Sequence, residues 1–313
     1  MKISFVIPCY RSAGSIESVV SEIQATMTDA DYEHEIVLVN DSSPDDTMDV
    51  LRRIASRTDE VSVVGLARNF GQHAALMAGF HVVSGDVIIC LDDDGQTPPR
   101  ESLKLLGKLD EGYDVVYGSY GEKKHSAFRN LGSALNERMA RLLLDKPKGL
   151  YLSSYFAARR YVIDELKKYR TPYPYVIGLV LRTTNSIANV QVEHRARAEG
   201  VSGYRLHKLL SLWLNGFTAF SVKPLRVSSL TGVAVAALGL LFGVYTVIRR
   251  ILDANIPLGW SSLMVAVLVI GGMILAALGM IGEYIGRVYI SINQSPQFVV
   301  RERIDARHSD GDL

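Results

Sequence analysis

The chain has 313 residues, enough for about two structural units, and its two cysteines exclude a disulfide-stapled scaffold. Its 34 Lys and Arg residues nearly balance its 33 Asp and Glu residues, so no net charge draws it towards nucleic acid. Hydrophobic residues form 48% of the chain, which excludes a disordered protein and is a high share for a wholly soluble one. The composition therefore indicates a globular domain joined to a part that lies in lipid.

The first part of the chain alternates between apolar runs and helical spacing. This alternation predicts an α/β domain over residues 1–200 with a mostly parallel sheet. Because the strands are almost continuously Val, Ile and Leu, we expect helices on both faces of the sheet. In chain order the predicted elements are a strand at 3–8, a helix around 16–23, a strand at 35–40, a helix at 46–57, a strand at 61–66, a helix at 72–83 and a strand at 86–91.

Polar residues follow the predicted strands where each one ends. In such sheets ligands bind beyond the carboxyl ends of the strands, so these residues are expected to meet at one edge. Their convergence predicts a ligand site there. The four clusters are Pro8-Cys9-Tyr10, Asn40-Asp41-Ser42, Ala67-Arg68-Asn69 and Asp92-Asp93-Asp94.

Three adjacent carboxylates, Asp92, Asp93 and Asp94, follow an apolar strand. Their mutual repulsion makes the cluster costly unless a cation neutralises it, and oxygen ligands favour Mg²⁺ or Mn²⁺. Such a metal would bridge the diphosphate of a nucleotide substrate. The alternative is a solvated turn, since an Asp-x-Asp motif alone is weak evidence.

The segment from Arg68 to Leu76 is predicted to open a helix directly after a strand. A free helix N-terminus attracts anions, and the Arg68 guanidinium suits a phosphate group. The alternative is an ordinary helix cap beside a hydrogen-bonded His73.

The apolar residues concentrate near the C-terminus. Residues 227–248 and 256–282 carry no charged side chain, and each run exceeds the ~20 residues that cross a bilayer as a helix. Two transmembrane helices are therefore expected; the alternative is a pair of buried core helices. Glycines within both runs allow close packing and make a homo-oligomer plausible.

The flanks of these runs predict how the chain lies at the membrane. Residues 195–226 carry six Lys and Arg residues against Glu199, interleaved with Leu and aromatic residues, so 201–226 is expected to be an amphipathic juxtamembrane segment. Two crossings would return the chain to the side on which it began, and the N-terminus lacks a signal-peptide pattern. We therefore expect the large domain and both termini, including a tail at 283–313, on the cytoplasmic side of the inner membrane. Arg249 and Arg250, between the two runs, argue against this orientation.

Together these motifs resemble the polyprenyl-phosphate glycosyltransferase subgroup of glycosyltransferase family 2, which has a GT-A fold. The resemblance spans almost the whole chain. Its more specific stretches are Arg-Asn-Phe-Gly-Gln-His-x-Ala from Arg68 and Gly-Glu-Tyr-Ile-Gly-Arg from Gly282. The motifs Val6–Tyr10, Val39–Ser43 and Asp92-x-Asp94-x-Gln96 are shared with the wider family.

The resemblance implies roles for individual residues. Asp94, Arg129 and Arg197 would be catalytic, and Asp92, Asp94 and Gln96 would hold the Mg²⁺ or Mn²⁺ ion. The donor, with a UDP-sugar favoured, would contact Pro8, Tyr10, Asp41, Arg68, Gln72, Asp92 and Asp93. The acceptor phosphate would contact Arg129, Ser133, Asn136, Arg197, Ser202 and Tyr204.

The chain departs from the family at several positions. Arg11-Ser12 stands where Asn-Glu is common, Asn40 replaces the first Asp of an Asp pair, and Gly203 replaces a Lys. Residues 149–154 also lack the acidic residue that serves many relatives as a general base. A phosphate acceptor is largely ionised at neutral pH, so it suffers less from this loss than a sugar hydroxyl would.

The resemblance and the departures together predict one function. The enzyme would move a single sugar, with inversion and metal assistance, from a nucleotide sugar to an undecaprenyl-type phosphate for cell-envelope glycans. One alternative is a transferase with a glycan hydroxyl acceptor, although the Gln-x-x-Arg-Trp element of processive synthases is missing from the sequence. The other is a catalytically silent membrane scaffold, which the departures at Asn40 and Leu150 would suit.

Overall fold

The structure is a computed structural model that describes residues 1–120, 147, 149–195, 223–252, 259–292 and 296–305. The chain forms two compact units. The first combines Met1–Gly203 with Gln294–Leu313, and the second is Tyr204–Asn293.

The first unit is built on strands that alternate with helices. Apolar periodicity explains the helices: in the first of them Ile16, Val19, Val20 and Ile23 recur on one face and are buried. The elements are β1 (Lys2–Cys9), α1 (Ile16–Asp29), β2 (Glu33–Asn40), α2 (Thr47–Ala55), β3 (Val61–Leu66), α3 (Gln72–Phe80), β4 (Val87–Cys90), a 3₁₀ turn (Pro99–Glu101), α4 (Ser102–Asp110), β5 (Val115–Tyr120), β6 (Phe156–Arg159), α5 (Arg160–Leu166), α6 (Val176–Thr183), β7 (Ile187–Val192) and β8 (Val300–Asp305).

These strands form one sheet in the order β7-β5-β6-β4-β1-β2-β3-β8. The sheet is mixed rather than mostly parallel, because among the described residues four strand pairings are parallel and three are antiparallel. β6 enters the sheet at the edge where β4 and β5 end, so it runs antiparallel to both. This reversal brings the residues just before β6 to the carboxyl ends of the other strands.

Helices cover both faces of the sheet, as the apolar strands predicted. On one face Phe5 and Ile7 pack with residues of α1, α2 and α4. On the other, Val6 packs with residues of α3, α5 and α6. Successive residues of a strand point to opposite faces, so a strand buried on both sides must be apolar throughout.

The segment expected to be a tail at 283–313 divides between the two units. Its first part continues a helix to Ile292, whereas β8 pairs antiparallel with β3 and so closes one edge of the sheet. Arg52 of α2 contacts Glu302 at 2.7 Å, and Ser62 of β3 donates to Asp305 at 2.8 Å. An unpaired strand edge exposes N–H and C=O groups, and β8 satisfies those of β3.

The second unit contains two long helices, α7 (Lys223–Leu252) and α8 (Trp260–Ile292), which contact each other. Within the described ranges one helical stretch, Val269–Gly286, is long and apolar enough to cross a membrane. In α7 the comparable apolar stretch is shorter, Leu230–Gly239. Ser228, Ser229, Thr231 and Thr246 lower the hydropathy of the first predicted crossing. The expected pair of crossings is therefore not confirmed, and most of the expected amphipathic segment, 201–222, lies outside the described residues.

Candidate active site

The carboxyl ends of β1–β5 and β7 lie along one edge of the sheet, together with the chain entering β6. Asp92 follows β4 at this edge. Its carboxylate accepts hydrogen bonds from Gln72 Nε2 at 2.9 Å and from the Ser154 hydroxyl at 2.5 Å. Burial, reinforced by the neighbouring Asp94 and Asp93 charges, raises the pKa of Asp92 to about 6. The surroundings of the Asp92 carboxylate thus favour neutralisation of its charge, by a proton or by a bound cation.

Asp93 makes its hydrogen bonds with the segment that follows β1. Its carboxylate accepts from the Tyr10 amide at 3.1 Å and from the Ser12 hydroxyl, and its carbonyl accepts from Ser15 Oγ at 2.7 Å. Burial raises the pKa of Asp93 in spite of these bonds. Asp93 thus joins the end of β4 to the loop after β1. Its predicted contact with the nucleotide-sugar donor would then be indirect, because Asp93 positions Tyr10.

The loops after β1 and β2 are joined as well. Arg11 and Ser42 have φ angles of 60° and 52°, in the left-handed region that costs energy for residues other than glycine. The Arg11 amide donates to Ser43 Oγ at 2.8 Å. The Tyr10 side chain between these loops is 45% exposed, which leaves its ring available to a nucleobase.

Asp94 and Gln96 lie in the loop after β4. The Gln96 amide donates to Asp94 Oδ1 at 3.0 Å. The Gln96 carbonyl accepts from the Arg195 amide at 2.7 Å, and the Arg195 side chain pairs with Glu22 at 2.9 Å. The chain after β7 is therefore fastened to the loop that carries the candidate metal ligands.

The donor set at this edge fits one kind of metal site. In the parts of the chain that the structure describes, no three His, Cys, Asp or Glu side chains are grouped so that they could hold an ion. Mg²⁺ is usually bound through one or two carboxylates together with substrate phosphates, and Asp92 and Asp94 supply two. The residues thus fit an ion that arrives with a diphosphate, not one held by protein ligands alone.

The Asp41 side chain holds the turn that precedes α3, whose N-cap residue Gly71 makes no side-chain cap hydrogen bond. The Asp41 carboxylate accepts from the Phe70 amide at 2.7 Å and from the Gly71 amide at 2.8 Å. Asp41 is 4% exposed, and burial raises its pKa even though both bonds favour the charged form. Both amides precede the first turn of α3, so anion binding at this helix N-terminus and contact between Asp41 and the nucleotide stay predictions.

Two other predicted residues flank the start of α3. The Arg68 guanidinium is exposed and lies 4.7 Å from the centroid of the Phe70 ring. The His73 ring packs edge-on against Tyr175 at 5.0 Å, and burial lowers the pKa of His73 to about 4. Its Nδ1 has no hydrogen-bond partner within the described ranges. His73 is therefore a neutral packing residue, and Arg68 is the cation at this end of the edge.

Ser154 and Ser12 are the polar contacts that sequence reasoning missed. Cys90 is paired with Phe156 in the antiparallel β4–β6 ladder, and continuing this register by two residues sets Asp92 opposite Ser154. That register could not be read before the strand partner was known. The segment before β6 bears no carboxylate, and Leu150, where the family's acid was expected, is 7% exposed.

Not every predicted site residue can be placed. Pro8 is the last residue but one of β1 and is partly exposed, and Gln72 begins α3 beside Asp92. The predicted acceptor residues lie outside the described part of the chain. They are Arg129, Ser133, Asn136, Arg197, Ser202 and Tyr204.

Two family models match this chain. Residues 4–167, more than half of it, match Glycosyl transferase family 2, and residues 223–288 match the GtrB C-terminal hairpin. Both the sheet with its carboxylate edge and the two long helices thus have counterparts in known families. The chain belongs to glycosyl transferase family 2, and it is a glycosyltransferase.

Curated relatives resemble the chain over nearly its whole length. An undecaprenyl-phosphate 4-deoxy-4-formamido-L-arabinose transferase of Pseudomonas syringae pv. syringae is 33% identical, covering 96% of this chain and 90% of that protein. The transferase of the same name from Yersinia pestis bv. Antiqua is 32% identical, with 99% and 95% covered. The glycosyltransferase YkcC of Bacillus subtilis is 31% identical, with 96% and 93% covered.

A solved structure shares the fold. Glucosyl-3-phosphoglycerate synthase from Mycobacterium tuberculosis, in complex with Mn²⁺, UDP-glucose and phosphoglyceric acid, superposes with a TM-score of 0.51. It is 23% identical and covers 67% of this chain and 75% of its own. This likeness confirms the expected GT-A architecture and concerns the fold alone.

Proposed function

We propose that this protein transfers one sugar from a nucleotide sugar, with a UDP-sugar favoured, to undecaprenyl phosphate or a similar polyprenyl phosphate. The observation that carries the proposal is the Asp92–Ser154 contact. Through this contact the segment before β6, in which a carboxylate base was expected but which bears no carboxylate, lies against Asp92 of the candidate diphosphate site. An acceptor that needs no base suits this site. The relatives named for undecaprenyl phosphate support the same acceptor class.

The chemistry follows from the charge of the acceptor. A phosphate monoester has a second pKa of about 6, so its oxygen is ionised at neutral pH. That oxygen attacks C1 of the sugar from the face opposite the leaving group, and a new C1–O bond forms with inversion. The old bond from C1 to the diphosphate oxygen breaks, and its electron pair leaves with the nucleoside diphosphate. No proton moves, so the work of the protein is to position two anions and stabilise the departing charge.

We assign these tasks to different residues at the carboxyl edge of the sheet. Tyr10 and Arg68 would hold the nucleoside and its phosphates, and Asp92, Asp94 and Gln96 would hold Mg²⁺ or Mn²⁺. When bound, such an ion supplies positive charge to the leaving diphosphate. Arg129 and Arg197 are proposed to neutralise the acceptor phosphate, which would otherwise be repelled by the carboxylates.

We further propose that the protein lies in the inner membrane with its catalytic unit and both termini in the cytoplasm. The GtrB-type hairpin match and the apolar stretch Val269–Gly286 support membrane attachment. Reporter fusions at the C-terminus and within 253–258 test the two-crossing topology. A cytoplasmic signal at the C-terminus and a periplasmic one at 253–258 are expected, and cytoplasmic signals from both would contradict it.

The reaction is tested with full-length protein in detergent or nanodiscs, undecaprenyl phosphate and a panel of nucleotide sugars. One donor should yield a glycolipid in the presence of Mn²⁺ or Mg²⁺, and Asp94→Asn should reduce turnover at least about 100-fold. Asp110→Asn, at the exposed end of α4, is the matched control and should keep wild-type activity. A wild-type protein that binds no nucleotide sugar and forms no glycolipid would refute the proposal.

A further inference from the structure

We propose that Tyr151 and Tyr120 form an aromatic wall that binds the sugar ring of the nucleotide-sugar donor; this rests on the proposed function. The Tyr120 ring meets Tyr151 edge-on at 6.1 Å and packs against the His194 ring at 4.3 Å. Three separate chain segments, the end of β5, the entry to β6 and the exit from β7, contribute these rings. The aromatic wall thus consists of Tyr120 and Tyr151, with His194 packed against Tyr120.

The Tyr151 backbone is held in place, while the residue is left partly exposed. The Asn189 side chain of β7 clamps the Tyr151 backbone: its Oδ1 accepts from the Tyr151 amide and its Nδ2 donates to the Tyr151 carbonyl, both at 2.7 Å. The Tyr151 side chain is nevertheless 44% exposed. A large ring that is presented to solvent from a fixed backbone loses less conformational freedom, when a ligand packs on it, than one on a mobile segment.

Tyr120 is fixed from the other side. Its hydroxyl lies 3.1 Å from Thr97 Oγ1, and Thr97 is three residues beyond Asp94 in the loop of the candidate metal ligands. Burial raises the pKa of Tyr120, and the Asp92 and Asp94 charges add to this effect. The Tyr120 hydroxyl therefore stays protonated, and the ring lies within the electrostatic reach of both carboxylates.

The aromatic wall is also connected to Asp92 through the chain. Ser154, three residues after Tyr151, donates directly to the Asp92 carboxylate. Two connections thus link the aromatic wall to the candidate diphosphate site at Asp92 and Asp94. Tyr151 is connected through the 151–154 segment, and Tyr120 is connected through Thr97. A group bound beside Asp92 and Asp94 lies next to these rings.

The strand order decides which part of the donor lies there. Along the sheet edge the order is β7-β5-β6-β4-β1-β2-β3, so the carboxylates after β4 lie between Tyr10 on one side and the aromatic wall on the other. With the nucleoside at Tyr10 and the diphosphate at the carboxylates, the sugar on the outer phosphate extends towards β6, β5 and β7. A sugar ring presents an apolar C–H face, which packs favourably on an aromatic ring.

Comparing the affinity for the nucleoside diphosphate with the affinity for the whole nucleotide sugar distinguishes the sugar subsite from the rest of the donor site. The probes are the nucleotide sugar that yields glycolipid in the assay above and its nucleoside diphosphate, measured by calorimetry on full-length protein. Tyr151→Leu should weaken donor binding about tenfold while nucleoside diphosphate binding stays within about twofold. Tyr151→Phe keeps the ring and should bind both as wild type does. Tyr173→Leu replaces a tyrosine that is 62% exposed outside the site and serves as the matched control.

Each other outcome overturns the inference. If Tyr151→Leu weakens both ligands equally, the ring supports the site as a whole; if it weakens neither, the ring does not touch the sugar. If only the KM for undecaprenyl phosphate rises, Tyr151 contacts the lipid acceptor instead. A wild-type protein that binds neither nucleotide ligand contradicts the proposed function itself, and this result is distinct from a failure at Tyr151 alone.

Discussion

The Ser154 hydroxyl donates a hydrogen bond to the Asp92 carboxylate across the antiparallel pair β4 and β6. One partner follows a central strand and the other precedes a strand that arrives about 60 residues later in the chain. The contact sets a hydroxyl beside a carboxylate whose pKa is raised by burial to about 6. The segment in which a general base was expected, residues 149–154, thus supplies a hydroxyl that influences the charge of Asp92.

The pKa of Asp92, which burial raises to about 6, should make donor binding dependent on pH. Asp92 must be ionised to hold a cation, so metal-dependent binding of the nucleoside diphosphate should strengthen as the pH rises through about 6, by up to about tenfold per unit below it. The Ser154 bond stabilises the ionised form, so Ser154→Ala should move this transition to higher pH. Calorimetry between pH 5 and pH 8 measures both.

The ligand's own ionisation is common to the two proteins in that experiment, so the difference between them reports on Asp92. Ser56→Ala, at the C-terminal end of α2, is the control and should follow the wild-type curve. Identical transitions for wild type and Ser154→Ala would contradict the role assigned to the Ser154 hydroxyl.

The hydrogen bonds from the turn before α3 to Asp41 should contribute to stability. Asp41→Ala leaves the Phe70 and Gly71 amides without their acceptor, and an unsatisfied buried donor costs about 1–3 kcal/mol. Asp41→Asn keeps one acceptor oxygen and should fall between wild type and Asp41→Ala. Urea denaturation of the full-length protein in detergent measures the loss. A stable Asp41→Ala protein that no longer binds nucleotide would show that Asp41 serves the ligand rather than the helix.

Glu35, at the opposite edge of the sheet, should make the free energy of unfolding depend on pH under acidic conditions. Burial alone would raise its pKa, but hydrogen bonds from Ser4, Ser84 and Lys2 outweigh burial and lower the pKa to about 2. A carboxyl whose pKa is lower in the folded state stabilises the protein above its unfolded pKa of about 4.5, and this stability is lost as the pH falls towards 2. Glu35→Gln should therefore be less stable at pH 6, and its deficit should shrink towards pH 2.

Thermal denaturation across that pH range tests the prediction. Glu33→Gln, an exposed residue of the same strand, is the matched control and should keep the wild-type pH dependence. A deficit of Glu35→Gln that does not change with pH would mean that lost packing, not charge, causes it.

The edge strand β8 should be required by the first unit. Truncation after Pro296 removes the partner of β3 together with the Glu302 and Asp305 contacts, so we expect a lower melting temperature and association through the exposed strand edge. Truncation after Asp305 retains β8 and should behave as the full-length protein does. Size-exclusion chromatography and thermal unfolding distinguish the two. Equal stability of both truncations would contradict a structural role for β8.

Much of the fold follows from local pattern. The apolar runs of β1–β4 and the spacing in α1 predicted the elements and the helices on both faces, because burial on both sides of a strand requires continuous apolar residues. The position of Asp92 and Asp94 after β4 was likewise readable from the sequence. The membership in glycosyl transferase family 2 rests on such linear motifs.

The partners of these residues depended on the tertiary structure. That Asp41 binds the turn before α3, that Ser154 meets Asp92, and that β8 rather than a free tail follows α8 each depends on which strands become neighbours. Periodicity encodes which side chains are buried, but it contains no information on pairing between distant segments. The free energy of the whole sheet selects those pairings, and they determine which polar groups at its edge face a ligand and which bind the protein itself.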